Sequence, residues 1–146
     1  MKEGRYIYQS FEQVEKAVYQ NRRMSEYYLD GLLLSQVFWP NHYLMGRYFV
    51  THCNACQKVI SAIDVPCGTG IYSYYFQTTL GFEELVCMDV SSFSIEYAKE
   101  YLARSLGNIS RIDFRRDNIF NLDESRKYDL VICGELISNA QTSNTG

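Results

Sequence analysis

The sequence predicts an α/β fold built on a mostly parallel sheet. Beyond residue 58, short apolar runs typical of buried strands alternate with segments of helical periodicity. The first apolar run leads through a glycine-rich turn, Pro66–Gly70, directly into a helical segment. With 146 residues, of which 47% are hydrophobic, the chain is long and apolar enough for one domain with a substantial core. Such alternation implies right-handed crossovers and a ligand at the carboxyl ends of the strands.

The N-terminal part of the chain, residues 9–57, shows helical spacing that is interrupted at three helix-start signals. These signals are Ser10 with Gln13, Ser25 before Glu26, and Asn41 after Pro40. They predict three helices. The apolar stretch Gly31–Trp39 is shorter than the ~20 residues that a membrane span needs, so we expect a buried helix there and no membrane partner.

The remaining elements follow one another regularly. Hydrophobic periodicity predicts strands at 59–64, 84–89, 111–116 and 128–133, and helices at 70–80 and 92–106, the second closed by Gly107. We therefore divide the chain into a helical extension (1–57), an α/β half-domain (58–137) and a polar tail that we expect to be disordered (138–146).

The segment Ala62–Gly70 is the most informative part of the sequence. Glycines at 68 and 70 let the backbone approach a ligand closely, and the following helix directs its N-terminal N–H groups toward it. A second strand ends at Asp89, near the ~20-residue offset from which a carboxylate reaches a ribose hydroxyl. Together these features predict an adenosine-containing cofactor.

Two residues around the turn distinguish between cofactor classes. Ser73 stands where the dinucleotide-binding fingerprint has its third glycine. Asp64 comes just before the turn, where a carboxylate would repel a pyrophosphate but accept hydrogen bonds from an ammonium group. The residues favour a cofactor with a cationic amino-acid tail, and an NAD-type domain remains the alternative.

With these residues the chain resembles the class I S-adenosylmethionine-dependent methyltransferases, whose first motif is an acidic residue followed by a glycine loop, D-x-G-x-G-x-G. Asp64, Gly68 and Gly70 match this motif, whereas Pro66 stands at the position of the first glycine. The resemblance covers about residues 58–137 and continues with three further segments. These are Asp89, Arg115–Ile119 and Lys127–Cys133.

The resemblance implies a Rossmann-like fold and S-adenosyl-L-methionine as the cofactor. It implies that Asp89 holds the ribose hydroxyls and that Asp117 accepts a hydrogen bond from the adenine amino group. The residues that it implies for cofactor binding are Asp64, Cys67, Gly68, Gly70, Asp89, Val90, Asp117, Asn118 and Cys133. Asp117 has an alternative role as an N-cap, and we expect Asp129 to be a solvent-facing residue at the start of a strand.

Methyl transfer is an in-line displacement, in which a protein contributes positioning, desolvation and in some cases a base. Glu135 is the carboxylate just beyond the fourth strand and a candidate base; the alternative is that it lines the pocket. The tyrosine-rich N-terminal part has two interpretations, helix packing or a lid that recognises a planar acceptor. We expect a small-molecule acceptor.

The end of the sequence departs from the family. Its fold continues with a fifth strand, whereas the residues after Ile137 are polar and lack periodicity. We therefore expect an incomplete sheet, explained by truncation, by an altered terminus, or by pairing with another chain. The exposed apolar edge predicts self-association. An inactive fragment with a binding or assembly role is the alternative function.

Composition and charge limit the partners, the cellular location and the metal sites that we expect. A net charge of −3 and a pI near 5.4 argue against a general nucleic-acid surface. The charged N-terminus lacks an apolar targeting segment, and the five cysteines suit reduced thiols, so we expect a cytoplasmic protein. Cys53 and Cys56 lie near His52 but lack a second ligand pair, so we expect no metal.

Overall fold

The computed structural model of this protein describes residues 21–53, 59–123 and 125–134. Two helices come first, α1 (Arg22–Phe38) and α2 (Pro40–Cys53). The α/β part follows as β1 (Ser61–Asp64), α3 (Ile71–Thr79), β2 (Glu84–Asp89), α4 (Ser92–Leu106), β3 (Ile112–Arg116), a short 3-10 helix (Ile119–Asn121) and β4 (Leu130–Ile132).

The four strands form one parallel sheet in the order β3-β2-β1-β4, which confirms the predicted fold class. Strand β1 is central, with Ala62 paired to Leu85 of β2 on one side and to Leu130 of β4 on the other. The chain therefore adds β2 and β3 on one side of β1, and then places β4 on the other side of β1. Open parallel sheets bind ligands at such a switch point, outside the carboxyl ends of the strands.

Both faces of the central strands β1 and β2 are buried, and alternate residues of each strand point to opposite faces. One face packs against α3 and α4, where Phe76, Leu85, Ala98 and Leu102 lie in a common cluster. The other face carries Ile63, Val65, Val86 and Met88, which pack with Ile119, Leu122 and Tyr128. Burial on both sides explains why β1 and β2 have continuous apolar sequences.

The predicted bounds of β2 and α4 agree with the structure to the residue, and Gly107 ends α4 as predicted. Ser91 caps the helix by accepting a hydrogen bond from the Ser94 N–H at 3.3 Å, and Gly107 ends it with a φ of 76°. Strands β1 and β4 are shorter than predicted, because apolar character continues beyond the residues that pair.

Two predictions for the N-terminal helices are wrong. Ser25 does not start a helix: it is buried within α1, and Asn21 caps that helix by accepting from the Met24 N–H at 3.3 Å. The stretch Gly31–Trp39 is not a buried helix either, since Phe38 is 78% exposed. Helix α1 packs against α2 and α4, and only Ser25, Leu29 and Gln36 among its residues are buried.

Two polar contacts tie α1 to α4. The Tyr97 hydroxyl donates to Asp30 Oδ1 at 2.7 Å. Arg22 Nη1 lies 3.8 Å from Glu96 Oε2 and forms an ion pair with it. None of the helices in the described ranges is both long and apolar enough to cross a bilayer. The helix predicted from Ser10, the tail 138–146 and Glu135 lie outside the described residues.

Candidate functional site

The glycine turn between β1 and α3 is clamped between the two neighbouring strands. The Val65 N–H donates to the Ile132 carbonyl of β4 at 2.9 Å, and the Cys67 N–H donates to the Met88 carbonyl of β2, also at 2.9 Å. The turn is therefore held over the carboxyl end of the central strand, at the switch point of the sheet. The neighbouring Cys87 and burial raise the pKa of the Cys67 thiol, so this side chain stays neutral.

The two glycines of the turn serve different purposes. Both have positive φ angles, 50° at Gly68 and 78° at Gly70, which disfavour any other residue. A Cβ added at Gly68 would meet nothing within 4 Å, whereas one at Gly70 would lie 3.1 Å from the Ala98 Cβ. Gly70 thus allows α4 to pack closely, and Gly68 leaves an open backbone surface that a ligand can approach.

Asp89 joins the turn to the end of β2. Its Oδ2 accepts a hydrogen bond from the Gly68 N–H at 3.1 Å, and its Oδ1 accepts from the Ser91 N–H at 2.9 Å. The side chain is largely buried, which raises the pKa of this carboxyl, while the backbone donors oppose the rise. Each oxygen keeps acceptor capacity for a further donor.

Asp64 lies beneath the turn and is 1% exposed. The Ser73 hydroxyl donates to its Oδ2 at 2.6 Å and lies 3.2 Å from the Cys87 sulfur. Its other oxygen, Oδ1, is buried and accepts no hydrogen bond from a described residue. Burial raises the pKa of Asp64 to about 7, while hydrogen bonding from Ser73 opposes the shift.

Ser73 is a site residue that sequence reasoning missed. The sequence identifies it only as the residue that replaces the third glycine of the dinucleotide fingerprint. In the structure it supplies the hydrogen bond that holds the Asp64 carboxylate. Its position in the first turn of α3, facing the sheet, was the available signal, but the partner could not be inferred from a separation of nine residues.

The end of β3 lies beside the end of β2, since the Asp117 N–H donates to the Asp89 carbonyl at 3.0 Å. The exposed Asp117 carboxylate accepts from the Asn121 amide at 2.8 Å and from the Asn118 N–H at 2.7 Å, which holds the pKa of Asp117 below its ordinary value. The predicted alternative, an N-cap role for Asp117, is wrong by one residue: Asn118 caps the 3-10 helix by accepting from the Phe120 N–H.

Val90 and Cys133 complete the set of predicted residues at this edge. Val90 follows β2 and is 44% exposed, while its carbonyl accepts from Arg116 Nε at 3.3 Å. Cys133 follows β4 and is an exposed free thiol. It lies on the opposite side of β1 from Asp89, as the strand order requires.

Cys133 also borders a cleft of about 470 Å³. Its described lining residues are Leu44, Met45, Tyr48, Phe49, Tyr72, Ile132, Cys133 and Gly134. Helix α2 contributes half of this lining, and sequence reasoning did not place α2 at the site. Its apolar side chains carry no motif, so only the packing of α2 against α3 reveals their position.

Asp129 is separate from the site, as predicted. It lies at the amino end of β4, where its Oδ2 accepts from the N–H groups of Ile60 and Ser61, both at 2.9 Å. These donors hold the pKa of Asp129 below its ordinary value. The residue stabilises the pairing of β4 with β1 and has no position from which to contact a ligand at the carboxyl edge.

A family model described as a methyltransferase domain matches residues 63–145, from the central strand and its glycine turn onward. The chain belongs to this methyltransferase family. The match confirms the resemblance recognised from the sequence motifs.

Two curated methyltransferases are similar in sequence to part of this chain. A ribosomal protein L11 methyltransferase from Fusobacterium nucleatum is 37% identical over 78 residues, which cover 52% of this chain and 24% of the relative. A malonyl-(acyl-carrier protein) O-methyltransferase 1 from Ilyobacter polytropus is 29% identical over 75 residues, covering 51% of this chain and 26% of the relative. The methyltransferase chain described here thus spans about a quarter of the length of these curated relatives.

A solved structure shows the shared fold. The structure of an S-adenosyl-L-methionine-dependent methyltransferase from Methanococcus maripaludis superposes with a TM-score of 0.65 at 16% identity. The superposition covers 84% of this chain and 54% of that one. The predicted class I methyltransferase fold is thereby confirmed for the described part of the chain.

Proposed function

We propose that this chain binds S-adenosyl-L-methionine and forms the cofactor-binding portion of a methyltransferase that acts on a small molecule. The observation that carries the proposal is the clamped glycine turn, in which the Gly68 N–H is bonded to the Asp89 carboxylate at 3.1 Å. In this proposal the predicted α/β half-domain, residues 58–137, binds the cofactor, and helix α2 of the predicted N-terminal extension borders the neighbouring cleft.

Two features of the turn fit the amino-acid tail of this cofactor. Gly68 leaves open space for a ligand to approach the backbone, and Asp64 Oδ1 is a buried acceptor without a described partner. An ammonium group would satisfy such an acceptor, whereas the pyrophosphate of a dinucleotide would be repelled by a carboxylate at 64. This contrast supports S-adenosyl-L-methionine over an NAD-type cofactor.

The adenosine part is assigned to the ends of β2 and β3. The free acceptor capacity of Asp89 suits the two ribose hydroxyls, and exposed Val90 offers an apolar surface for a base. Asp117, with Asn118 beside it, is bonded through its N–H to the carbonyl of Asp89 and presents an exposed carboxylate that suits an exocyclic amino group. Cys67 and Gly70 shape the turn, and Cys133 directly follows β4, the strand that is bonded to the start of the turn.

When bound, the cofactor supplies an electrophilic methyl group on a sulfonium. The residues of this chain then hold the cofactor, orient it and exclude water, which are the main contributions of a protein to such a transfer. Glu135 remains the candidate base, although it lies outside the described residues. An unchanged rate on the true acceptor after Glu135→Gln would remove it from this role.

The proposed class of acceptor rests on the size of the cleft and on charge. The two relatives act, by their names, on a ribosomal protein and on a malonyl-acyl carrier protein, so family membership alone does not define the acceptor. A cleft of about 470 Å³ lies within the range of roughly 300–1,000 Å³ that is typical of small-molecule sites. The net charge of −3 does not favour a nucleic acid.

A thermal melt with saturating S-adenosylhomocysteine tests the proposed function. At about 100 times its Kd the ligand should add roughly 2.7 kcal/mol to the stability, which is a shift of several degrees for a domain of this size. Asp89→Ala should abolish the shift, and Asp123→Ala, which removes an exposed carboxylate far along the chain from the turn, should retain it. Each variant is compared with its own melt without ligand.

The same experiment separates the alternatives. A cooperative melt that no ligand shifts would contradict cofactor binding and favour the assembly role. A larger shift with NADH than with S-adenosylhomocysteine would favour the NAD-type domain.

A further inference from the structure

We propose that the outward face of α1 is an interface through which two copies of this chain pair, with their α1 helices antiparallel. Five residues of α1 recur at alternating spacings of three and four, which place them in one line along a helix. We call this line the α1 stripe; its members are Met24, Tyr27, Gly31, Leu34 and Phe38. The inference is independent of the proposed cofactor.

The α1 stripe faces away from the helices on which α1 packs. Helix α1 packs against α2 and α4, and its buried residues are Ser25, Leu29 and Gln36. At about 3.6 residues per turn, the stripe lies roughly 180° around the helix from these residues. The four side chains of the stripe are exposed by the following fractions: Met24 46%, Tyr27 57%, Leu34 57% and Phe38 78%. A second apolar line opposite the first is typical of a helix that is covered on two sides.

Gly31, in the middle of the stripe, has no explanation within the described part of the chain. Glycine inside a helix is less favourable than alanine, because it loses more backbone freedom on folding. A Cβ added at Gly31 would meet nothing within 4 Å among the described residues, so packing within the chain does not require its absence. The distance between two packed helices depends on the side chains at their contact. A glycine at this position therefore allows a second helix to approach closely.

The order of large and small residues favours an antiparallel second copy. Antiparallel pairing places Leu34 of one copy over Gly31 of the other, and Tyr27 of one over Phe38 of the other. The interface is self-complementary, because each copy supplies both members of both pairs. Parallel pairing would place Gly31 over Gly31 and leave a gap at the centre of the contact. The helix dipoles also favour the antiparallel direction.

The exposed surface is large enough for a dimer. Aromatic side chains bury roughly 150–250 Å² each, and more than half of both Tyr27 and Phe38 is exposed. Together with Met24, Leu34 and the flanking atoms of the helix, they offer on the order of 600 Å² per copy. Pairing would then bury roughly 1,200 Å² in total, which is the lower end of specific interfaces. We therefore expect a dimer that dissociates in the micromolar range.

The charges of α1 suit a second copy better than an anionic lipid surface. Arg22 and Arg23 are balanced by Glu26 and Asp30, so the helix has no net charge, whereas the whole chain has −3. Two α1 helices therefore approach without repulsion between net charges. An anionic lipid surface attracts clusters of basic residues and is repelled by carboxylates beside the contact.

Thiol cross-linking tests the pairing and its direction. Tyr27→Cys and Phe38→Cys are made as separate variants of the full chain, mixed in a glutathione redox buffer, and the joined peptides are identified by mass spectrometry. We expect a disulfide between position 27 of one copy and position 38 of the other. Phe38→Cys alone should give at least about tenfold less disulfide, because the two copies of position 38 lie roughly 16 Å apart along the helix axis in this pairing.

Val37→Cys is the matched control for Phe38→Cys. Val37 is the preceding residue and is 72% exposed, against 78% for Phe38, but it points about 100° away around the helix. Mixed with Tyr27→Cys, it should give at least about tenfold less disulfide than Phe38→Cys does. Equal yields from the two mixtures would indicate random collision and overturn the proposal. A disulfide between two copies of Tyr27→Cys, formed in preference to the mixed one, would indicate parallel helices and overturn the antiparallel pairing.

Sedimentation velocity measures the strength of the pairing. Every protein in this series carries Val131→Lys, so that association through β4 does not contribute. Leu34 and Leu44 are both 57% exposed, so aspartate is equally compatible with folding at either position. Leu34→Asp should raise the Kd of the dimer at least about tenfold, because it places a charge against the apolar stripe of the partner. Leu44→Asp, on α2, should leave the Kd unchanged.

Two outcomes of the sedimentation series would overturn the proposal. One is an equal effect of the two aspartate variants, which would place the contact away from the α1 stripe. The other is a chain that stays monomeric up to roughly 100 μM, beyond the affinity expected for this area. A monomer would mean that residues 1–20, a lipid surface or a different protein covers the stripe instead of a second copy.

Discussion

Replacing Asp64 with asparagine should remove a pH dependence of stability that the wild-type chain shows. Burial of this carboxyl raises its pKa from 3.8 to about 7. Because the folded state then holds the proton more tightly than the unfolded chain, the stabilising effect of that proton is fully present below about pH 4 and is lost as the pH rises through about 7. The side-chain amide introduced by Asp64→Asn does not titrate, so the variant should lack this loss.

The size of the effect follows from the shift. Each pKa unit corresponds to ~1.4 kcal/mol, and between about pH 5 and 8 the difference between folded and unfolded carboxyl accounts for roughly two units. The wild type should therefore lose about 3 kcal/mol relative to Asp64→Asn across this range, which for a domain of this size lowers the Tm by roughly 8 °C. The raised pKa of Asp89 acts in the same direction but is common to both chains, so it cancels in the comparison.

The assay is a series of thermal melts of both chains in buffers of equal ionic strength across that pH range. Asp123→Asn serves as the control, since hydrogen bonds from Ser125 hold the pKa of Asp123 low and its charge is constant in this window. Identical pH profiles for the wild type and Asp64→Asn would refute the reasoning. If Asp64 receives the ammonium of the cofactor, saturating S-adenosylhomocysteine should also reduce the loss in the wild type, because the cation favours the carboxylate.

Three further predictions concern the turn and the sheet. Gly70→Ala should lower the urea midpoint of unfolding more than Gly68→Ala. Both variants place an alanine at a positive φ, which costs ~1–2 kcal/mol of stability, but only the new Cβ at 70 contacts packed atoms. Equal midpoints for the two variants would contradict the packing argument. Asp129→Ala should also lower the urea midpoint, because its carboxylate accepts two backbone N–H groups at the start of β1, and this effect should fade in acid as the lowered pKa of Asp129 is crossed. Val131→Lys, at a side chain 59% exposed on the edge strand of the described sheet, should reduce the self-association predicted for β4. Sedimentation velocity measures it, and a monomeric wild type at high concentration would refute that prediction.

Much of the sheet could be predicted because its signals are local. The bounds of β2 and α4 depend on an apolar run, on Ser91 before the helix and on Gly107 after it, all of which act within a few residues. The strand order could be predicted only through the family resemblance, since nothing in the run Leu130–Ile132 states which neighbour it pairs with. The structure shows that neighbour to be β1.

The arrangement of the N-terminal helices was harder to predict, because it depends on contacts between residues that are distant in sequence. Helix α1 is apolar enough to be a core helix, and propensity alone does not say which of its faces another element covers. The structure packs α1 against α2 and α4 with Phe38 exposed, and Asn21 caps the helix instead of Ser25. These outcomes depend on contacts such as Tyr97 with Asp30, across 67 positions of the chain.

By itself the sequence determined the fold class, the family and the position of the glycine turn, because backbone freedom at Gly68 and Gly70 and the carboxylates that end two strands are properties of short segments. Only the tertiary structure decided what these groups contact. It bonds the Asp89 carboxylate to the turn and brings Ser73 onto Asp64. It also lays α2 beside the end of β4, where the two form the cleft that Cys133 borders. Such partners are distant in sequence, and they become neighbours only when packing brings separate helices and strands to the same edge of the sheet.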